Sequence, residues 1–139
     1  MRILIDTCVI LDLLIERKGA NEAENVLNSC ATNKNIGYVT AKSCCDLYYV
    51  LRKEYHSREI AIDKMKKILL ILDILDTSAT DINNAFDNEV KDYEDAVMVE
   101  TALRNNIEAI ITNNIKDYKQ QDKVKIIEPK EISIHKGKE

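Results

Sequence analysis

Several carboxylates in this sequence stand where an apolar run ends or a helix begins. Asp6 directly follows the apolar residues 3–5, and Asp95 lies close to the start of a segment that opens at Asp92. Asp117 follows a further apolar run at residues 109–111. Carboxylate oxygens are the ligands that hard divalent cations prefer, and such cations assist the hydrolysis of phosphate esters. The types and positions of these residues therefore predict a metal-dependent hydrolase.

Asp6 has two competing interpretations. A carboxylate at the end of a buried strand is costly unless it meets a cation or several hydrogen-bond donors, which favours a metal ligand. Asp is also a good N-cap, so Asp6 is equally compatible with capping a helix that begins near Cys8. In the functional interpretation, the Thr7 hydroxyl is predicted to orient the Asp6 carboxylate.

Asp92 and Asp95 are three residues apart and so share one face of a helix. The same face continues through Val99 and Ala102, which are predicted to point into the core. The alternative is a D-x-x-D capping pair that stabilises the start of the helix. Because Asp92 fits the cap position, Asp95 is the stronger candidate ligand and Asp92 an auxiliary one.

Two further carboxylates are weaker candidates when each is taken alone. Asp46 lies inside a predicted helix with apolar neighbours one turn on, although an ordinary solvated Asp remains the alternative. Asp117, with Asn114, follows a predicted strand and is also compatible with a simple turn. Asp12 and Glu16, on the first helix, are predicted to be solvated and without a role. Four segments distant in sequence nevertheless each supply a carboxylate, which strengthens the prediction of one site.

The elements that must position these side chains alternate between strand and helix. This alternation favours a parallel sheet covered by helices on both faces, with ligands bound beyond the carboxyl ends of the strands. Asp6 and the pair Asn113–Asn114 fall at such ends. The predicted strands are 2–6, 37–40, 74–76, 109–112 and 124–127, and the predicted helices are 9–14, 20–34, 41–56, 59–72, 78–89 and 92–106.

Composition narrows the class of protein. With 139 residues, 45% hydrophobic content, 3 Gly and 1 Pro, one compact domain over residues 1–139 is expected. No apolar run reaches the roughly 18 residues of a membrane span, and the N-terminus lacks the pattern of a signal peptide. A cytoplasmic protein without membrane contact is therefore expected. The 4 Cys and 2 His show no zinc-binding spacing, so the cysteines are expected to be reduced and mostly buried.

The net charge of −4 argues against a protein that binds nucleic acid through its whole surface. Five acidic residues belong to the predicted metal site, however, and bound cations would offset them. Substrate contact is expected from local basic groups, with ordinary solubility charge as the alternative, and from tyrosines that either stack on bases or pack in the core. These candidates are Arg52, Lys53, Lys116 and Lys119 among the basic residues, and Tyr48, Tyr49 and Tyr118 among the aromatic ones.

Three stretches of the chain resemble the PIN-domain family, and in particular toxin ribonucleases of the VapC type. They are ILIDTCVILDLL at residues 3–14, the segment from Thr40 to Arg52, and DYEDA at 92–96 leading into IITNNIKDY at 110–118. The stretches span the chain in the order that the family has. The resemblance implies a three-layer α/β/α sandwich around a mostly parallel sheet.

The resemblance also implies an activity and a site. The chain would hydrolyse RNA phosphodiester bonds with Mg²⁺ or Mn²⁺, as the toxin of a toxin–antitoxin pair, with an antitoxin protein and a second copy of itself as partners. Thr112 and Asn114 would orient water or substrate. The acidic positions of the family would fall on Asp6, Asp46, Asp95 and Asp117, with Asp92 as an auxiliary ligand.

The chain departs from the family pattern at two places. Asp46 stands where Glu is common and is one methylene shorter, and Asn113 and Asn114 stand where an acid is often found. Both departures weaken a second metal site. They keep open the alternative of a catalytically weakened PIN fold that acts as a binding or regulatory module.

Overall fold

A five-stranded, fully parallel sheet forms the centre of the computed structural model, which describes residues 1–132. The strand order is β3-β2-β1-β4-β5, so the first strand lies in the middle. The predicted parallel sheet is therefore confirmed, with strand limits that differ from the predicted ones by at most one residue. The strands are β1 (Arg2–Ile5), β2 (Ile36–Thr40), β3 (Asp73–Leu75), β4 (Ala109–Ile111) and β5 (Lys125–Ile127).

Six α-helices connect these strands within the described residues, and a short 3₁₀ helix, Ile115–Tyr118, follows β4. The predicted helix 78–89 is shorter than expected and ends at Ala85. The last seven residues of the predicted domain, 133–139, lie outside the described part. The helices are α1 (Thr7–Leu14), α2 (Ala20–Ala31), α3 (Ala41–Tyr55), α4 (Arg58–Leu69), α5 (Ala79–Ala85) and α6 (Tyr93–Arg104).

The sheet separates two apolar layers because successive residues of a strand point to opposite faces. Ile3 and Ile5 belong to the cluster that packs against α1, α2, α3 and α4. Leu4 belongs to the other cluster, which packs against α5 and α6. All three side chains are fully buried, as expected for a central parallel strand covered on both faces. The predicted three-layer α/β/α sandwich is confirmed.

The register of the sheet brings the ends of β1 and β4 side by side. Ile5 lies opposite Ile111, and the backbone N–H of Asp6 donates to the Ile111 carbonyl at 2.9 Å. Asp6 and Thr112 therefore leave the sheet as neighbours. The first turn of α3 follows β2 directly and is capped by Thr40, whose hydroxyl oxygen accepts from the Ser43 N–H.

A buried ion pair fixes α5 against α6, the helix that carries Asp95. Asp81 is 1% exposed and accepts hydrogen bonds from the Arg104 guanidinium at 2.9 Å and from the Thr101 hydroxyl at 2.9 Å. Asp81 also completes a capping box with Ser78. This network gives α6 a defined position on the sheet. Among the helices of residues 1–132, none has the length and apolar character to span a membrane.

Gly37 lies where β2 packs closely against α2 and Leu72. A Cβ at this position would lie 2.5 Å from the Cys30 Sγ and 2.6 Å from a Leu72 methyl. We expect Gly37→Ala to lower the free energy of unfolding by about 1–3 kcal/mol through overpacking, measured by urea denaturation. Ile36→Ala, which alters a half-exposed neighbour in the same strand, is the control and should cost less. A Gly37→Ala chain as stable as the wild type would contradict this packing.

Candidate active site

Asp6 reaches into the space beyond the carboxyl edge of the sheet. Its position is that of the N-cap of α1, yet its side chain makes no capping hydrogen bond. Instead, its Oδ2 accepts a hydrogen bond of 2.8 Å from the Thr112 hydroxyl. The capping alternative therefore does not explain this carboxylate. The Thr7 hydroxyl, which was predicted to orient Asp6, donates to Ser43 Oγ at 3.0 Å instead, so Thr112 has the orienting role.

The hydroxyl of Tyr118 lies between Asp6 and Asp95. It donates to Asp95 Oδ1 at 3.1 Å and is 3.5 Å from Asp6 Oδ2. Tyr118 is fully buried, so of its two predicted roles the structure supports core packing and excludes base stacking. Nothing in the sequence distinguished its hydroxyl from that of any other core tyrosine. The consequence is a fixed link between the two carboxylates that were the strongest candidates.

Asp92 begins α6 and caps it. Its Oδ1 accepts a hydrogen bond of 3.1 Å from the Asp95 N–H, which is the capping geometry that the D-x-x-D spacing offered as an alternative. Asp92 is exposed. The cap presents Asp95 from the first turn of α6 towards Tyr118 and Asp6.

The two central carboxyls are electrostatically unfavourable neighbours. Burial raises the pKa of Asp6, while hydrogen bonds from Thr112 and Tyr118 oppose the rise. Burial also raises the pKa of Asp95 to about 6, and the charges of Asp92, Asp6 and Asp117 add to this effect. A low-dielectric site that holds two carboxylates favours a proton or a cation between them.

Asp46 enters the same region from α3 but is already paired. Its Oδ2 accepts a bond of 2.7 Å from the Lys42 ammonium, which also lies 3.3 Å from Glu94 Oε1. Partial burial opposes protonation of Lys42, but the bond to Asp46 and the charges of Asp46 and Glu94 raise its pKa. The i,i+4 spacing of Lys42 and Asp46 was visible in the sequence, and neither Lys42 nor Glu94 was singled out there.

A cavity of about 320 Å³ collects these side chains at the edge of the sheet. Asp6, Asp46, Glu94 and Asp95 supply carboxylates to its wall, and Asn114 lies on it as well. Asp117 is exposed in the 3₁₀ helix and acts on Asp95 through its charge. Three of the four predicted segments thus supply carboxylates to one cavity, and the fourth, after β4, supplies the Asn114 amide in place of the predicted Asp117.

Asn113 and Asn114 diverge after β4. The Asn114 N–H donates to the Thr112 hydroxyl at 3.0 Å, which helps to hold the donor that Asp6 uses. The Asn113 amide donates to Asp12 Oδ2 at 2.8 Å. Asp12 was predicted to be solvated, but it is buried and also pairs with Arg17 at 3.3 Å. Its role is to tie α1 to the segments that follow α1 and β4.

The donor set suits a hard cation held by few protein ligands. Among residues 1–132, no group of three or more His, Cys, Asp or Glu side chains is arranged to hold a metal ion. Asp6 and Asp95 are the pair that the structure brings together through Tyr118. Mg²⁺ is commonly held by one or two carboxylates, several waters and substrate phosphate oxygens. Two partly buried carboxylates, with the Thr112 and Tyr118 hydroxyls beside them, fit that pattern.

Removal of the Tyr118 hydroxyl should change the titration of Asp95. The bond from this hydroxyl favours the charged carboxylate, so in Tyr118→Phe the pKa of Asp95 should rise above its wild-type value. Carboxyl-carbon NMR titration in EDTA measures this directly. Tyr49→Phe removes an exposed hydroxyl and should leave the Asp95 pKa unchanged. An unchanged or lower pKa in Tyr118→Phe would show that the hydroxyl does not stabilise the carboxylate.

The raised pKa of Asp95 also predicts how stability depends on pH. The pKa of Asp95 in the folded protein, about 6, lies above its ordinary value of 3.8. Its contribution to the free energy of unfolding is therefore fully present below about pH 3.8 and is lost as the pH rises through 6. Asn carries no charge, so Asp95→Asn in EDTA should melt higher than the wild type at pH 7.5, by on the order of 3 °C.

The difference between Asp95→Asn and the wild type should shrink as the pH falls towards 4. Asp122→Asn, at an exposed position, controls for the loss of one negative charge. A lower melting temperature for Asp95→Asn at pH 7.5 would contradict the electrostatic description of the site.

Comparison with known proteins agrees with this geometry. The family model described as PIN domain matches residues 2–116. A search of curated protein sequences finds no match to this chain.

Solved structures share the fold at low sequence identity. VapBC2 from Rickettsia felis, bound to a DNA fragment from its promoter, has a TM-score of 0.71 and 19% identity over 92% of this chain and 98% of that one. A toxin–antitoxin complex from Klebsiella pneumoniae gives 0.65 and 24% over 91% and 96%. VapC20 from Mycobacterium tuberculosis, a toxin that cleaves the sarcin–ricin loop, gives 0.62 and 12% over 78% and 86%. By the family match over most of its length and by its fold, this chain belongs to the PIN-domain family.

Proposed function

We propose that this protein is a divalent-metal-dependent endoribonuclease that hydrolyses RNA phosphodiester bonds, and that it acts as a VapC-like toxin. The observation that carries the proposal is the pair of carboxylates, Asp6 and Asp95, joined through the Tyr118 hydroxyl at the carboxyl edge of the sheet. A role in stability alone does not account for this pair, because burial and mutual repulsion disfavour two charges there.

Asp6 and Asp95 are the residues that would hold Mg²⁺ or Mn²⁺. Such an ion supplies positive charge to the scissile phosphate and lowers the pKa of water. Thr112 and Tyr118 donate to the two carboxylates and keep them in place. Asn114 holds the Thr112 hydroxyl, so Thr112 and Asn114 orient the ligands in addition to any contact with water or substrate.

The other three candidate carboxylates, Asp46, Asp92 and Asp117, have different roles in this proposal. Lys42 neutralises Asp46 and lies near Glu94, so Asp46 takes part once substrate or metal displaces the ammonium, or through water. Asp117 and Asp92 are exposed and add negative charge around Asp95. This charge raises the local concentration of divalent cations at the site.

The proposed partners follow from the family and from the neighbours. The Rickettsia felis and Klebsiella pneumoniae structures are toxin–antitoxin complexes, which supports an antitoxin for this chain. RNA is the substrate, and a homodimer in the cytoplasm is the proposed working form. The proposal of RNA hydrolysis does not depend on the proposal of a toxin role, because a PIN nuclease needs no antitoxin to cut RNA.

A second candidate function has its own supporting observation. Lys42 already occupies Asp46 at 2.7 Å, and an amide, Asn114, lines the cavity where an acid is common in the family. A site with fewer free carboxylates favours a PIN fold retained as a binding or regulatory module. The two candidates differ in whether any RNA is cut.

Cleavage of a mixed RNA pool by purified protein distinguishes these candidates. We expect cutting with Mg²⁺ or Mn²⁺ and none with EDTA. Asp6→Asn and Asp95→Asn should each reduce the rate by at least about 100-fold, because each removes a charged ligand of the metal. Asp63→Asn, which removes an exposed carboxylate on α4, should cut at the wild-type rate.

Measurements of folding and of metal binding show whether a loss of cleavage comes from a loss of the metal site. All variants should show wild-type circular dichroism, and Mn²⁺ should raise the melting temperature of the wild type and Asp63→Asn but not that of Asp6→Asn. Cutting that persists in folded Asp95→Asn would refute the assignment of the site. Mn²⁺ binding without cleavage of any RNA would favour the binding module.

A further inference from the structure

One face of α3 carries a row of side chains that begins at the active site and runs away from it. Lys42, Asp46, Tyr49 and Lys53 follow one another at helical intervals of three or four residues, which places them on one side of the helix. His56 is the C-cap residue that follows the helix. The opposite side of α3 packs into the core through Leu47 and Leu51, both buried. The row therefore faces solvent while its first members line the active-site cavity.

The far half of this row borders a second cavity. Its volume is about 430 Å³, and it is lined by Tyr48, Tyr49, Arg52, Lys53 and His56. The lining contains two aromatic rings, two permanent cations and an imidazole, and no carboxylate. The chain as a whole carries a net charge of −4, so this lining is more basic than the average of the chain.

Tyr49 is the exposed ring of this cavity. It is 67% exposed, one turn of α3 beyond Asp46. An exposed aromatic ring beside cations is the combination with which proteins bind single-stranded nucleic acid, since bases stack on the ring and phosphates pair with the cations. Arg52 and Lys53 are both exposed in the last turn of α3, so their charges are available to a ligand.

We propose that this cavity, which we call the α3 pocket, binds a nucleotide of single-stranded RNA on one side of the scissile bond. A base stacks on Tyr49, and Arg52 and Lys53 contact the flanking phosphates. Because the pocket continues along the same helix face from Asp46, RNA bound there extends into the acidic cavity. The inference rests on the proposed ribonuclease function and adds to it a binding site for the RNA outside the acidic cavity.

Binding of a fluorescein-labelled single-stranded RNA of mixed sequence, about ten nucleotides long, tests the α3 pocket. Fluorescence anisotropy would be measured in the Asp95→Asn background, which prevents cutting. Added Tyr49→Ala should weaken binding about tenfold through lost stacking, and Tyr49→Phe should restore it. The matched control is Phe86→Ala, since Phe86 is 70% exposed and lies outside this pocket.

The cations are tested by the salt dependence of the same binding. Arg52→Met with Lys53→Met removes two phosphate contacts. The slope of log affinity against log salt is negative, and its magnitude should fall by about 1.4. Lys66→Met with Lys67→Met is the matched control, because this basic pair occupies the last turn of α4. The control pair should leave the slope almost unchanged.

The outcomes separate this inference from the proposed function. Metal-dependent RNA cleavage by the wild type, with RNA affinity unaffected by the Tyr49 and Arg52–Lys53 variants, would overturn the α3 pocket alone. Absence of both cleavage and RNA binding in the parent would overturn both proposals. A change of oligomeric state in folded Tyr49→Ala, seen by sedimentation without a change in RNA affinity, would assign the pocket to contact between copies and overturn its role in RNA binding.

Discussion

The repulsion between two partly buried carboxylates, Asp6 and Asp95, is the constraint around which this structure is organised. Burial makes each charge costly, and proximity makes the pair more costly still. The fold retains them by placing neutral donors against them, the hydroxyls of Thr112 and Tyr118, and no cationic side chain is bonded to either within residues 1–132. Neutral donors hold the oxygens in place without satisfying the charge, which leaves an attraction for a divalent cation.

The sheet supplies the precision that this arrangement needs. β1 lies between β2 and β4, so Asp6 leaves the central strand with Thr112 beside it and α3 close on its other side. The ion pair of Asp81 and Arg104 sets α6 through α5, and the Asp92 cap sets the first turn of α6.

Sequence patterns predicted the sheet and the meeting of distant carboxylates, because apolar periodicity and strand ends are local properties. The parallel order, Asp6 at the edge of the sheet and Asp92 as a possible cap were all available from residue types and spacing. Tyr118, Thr112 and the pairing of Lys42 with Asp46 depend on which segments the fold brings together. Asp12 shows the same dependence on the fold. Its place on the first helix predicted a solvated side chain, but it bonds to Asn113, which is 101 residues away in the chain.

Lys42 gives the site an asymmetry that the family resemblance alone did not imply. Asp6 and Asp95, which accept only neutral donors, receive the cation in our proposal, whereas Asp46 and Glu94 already share the ammonium of Lys42. A crystal of the protein grown with Mn²⁺ and measured at the manganese absorption edge tests this directly. The expected result is an anomalous peak in contact with both Asp6 and Asp95, at Mn–O distances near 2.2 Å by analogy with other oxygen-bound divalent cations, about 2.0–2.6 Å. A peak held by Asp46 and Glu94 in place of Lys42, with none between Asp6 and Asp95, would contradict it.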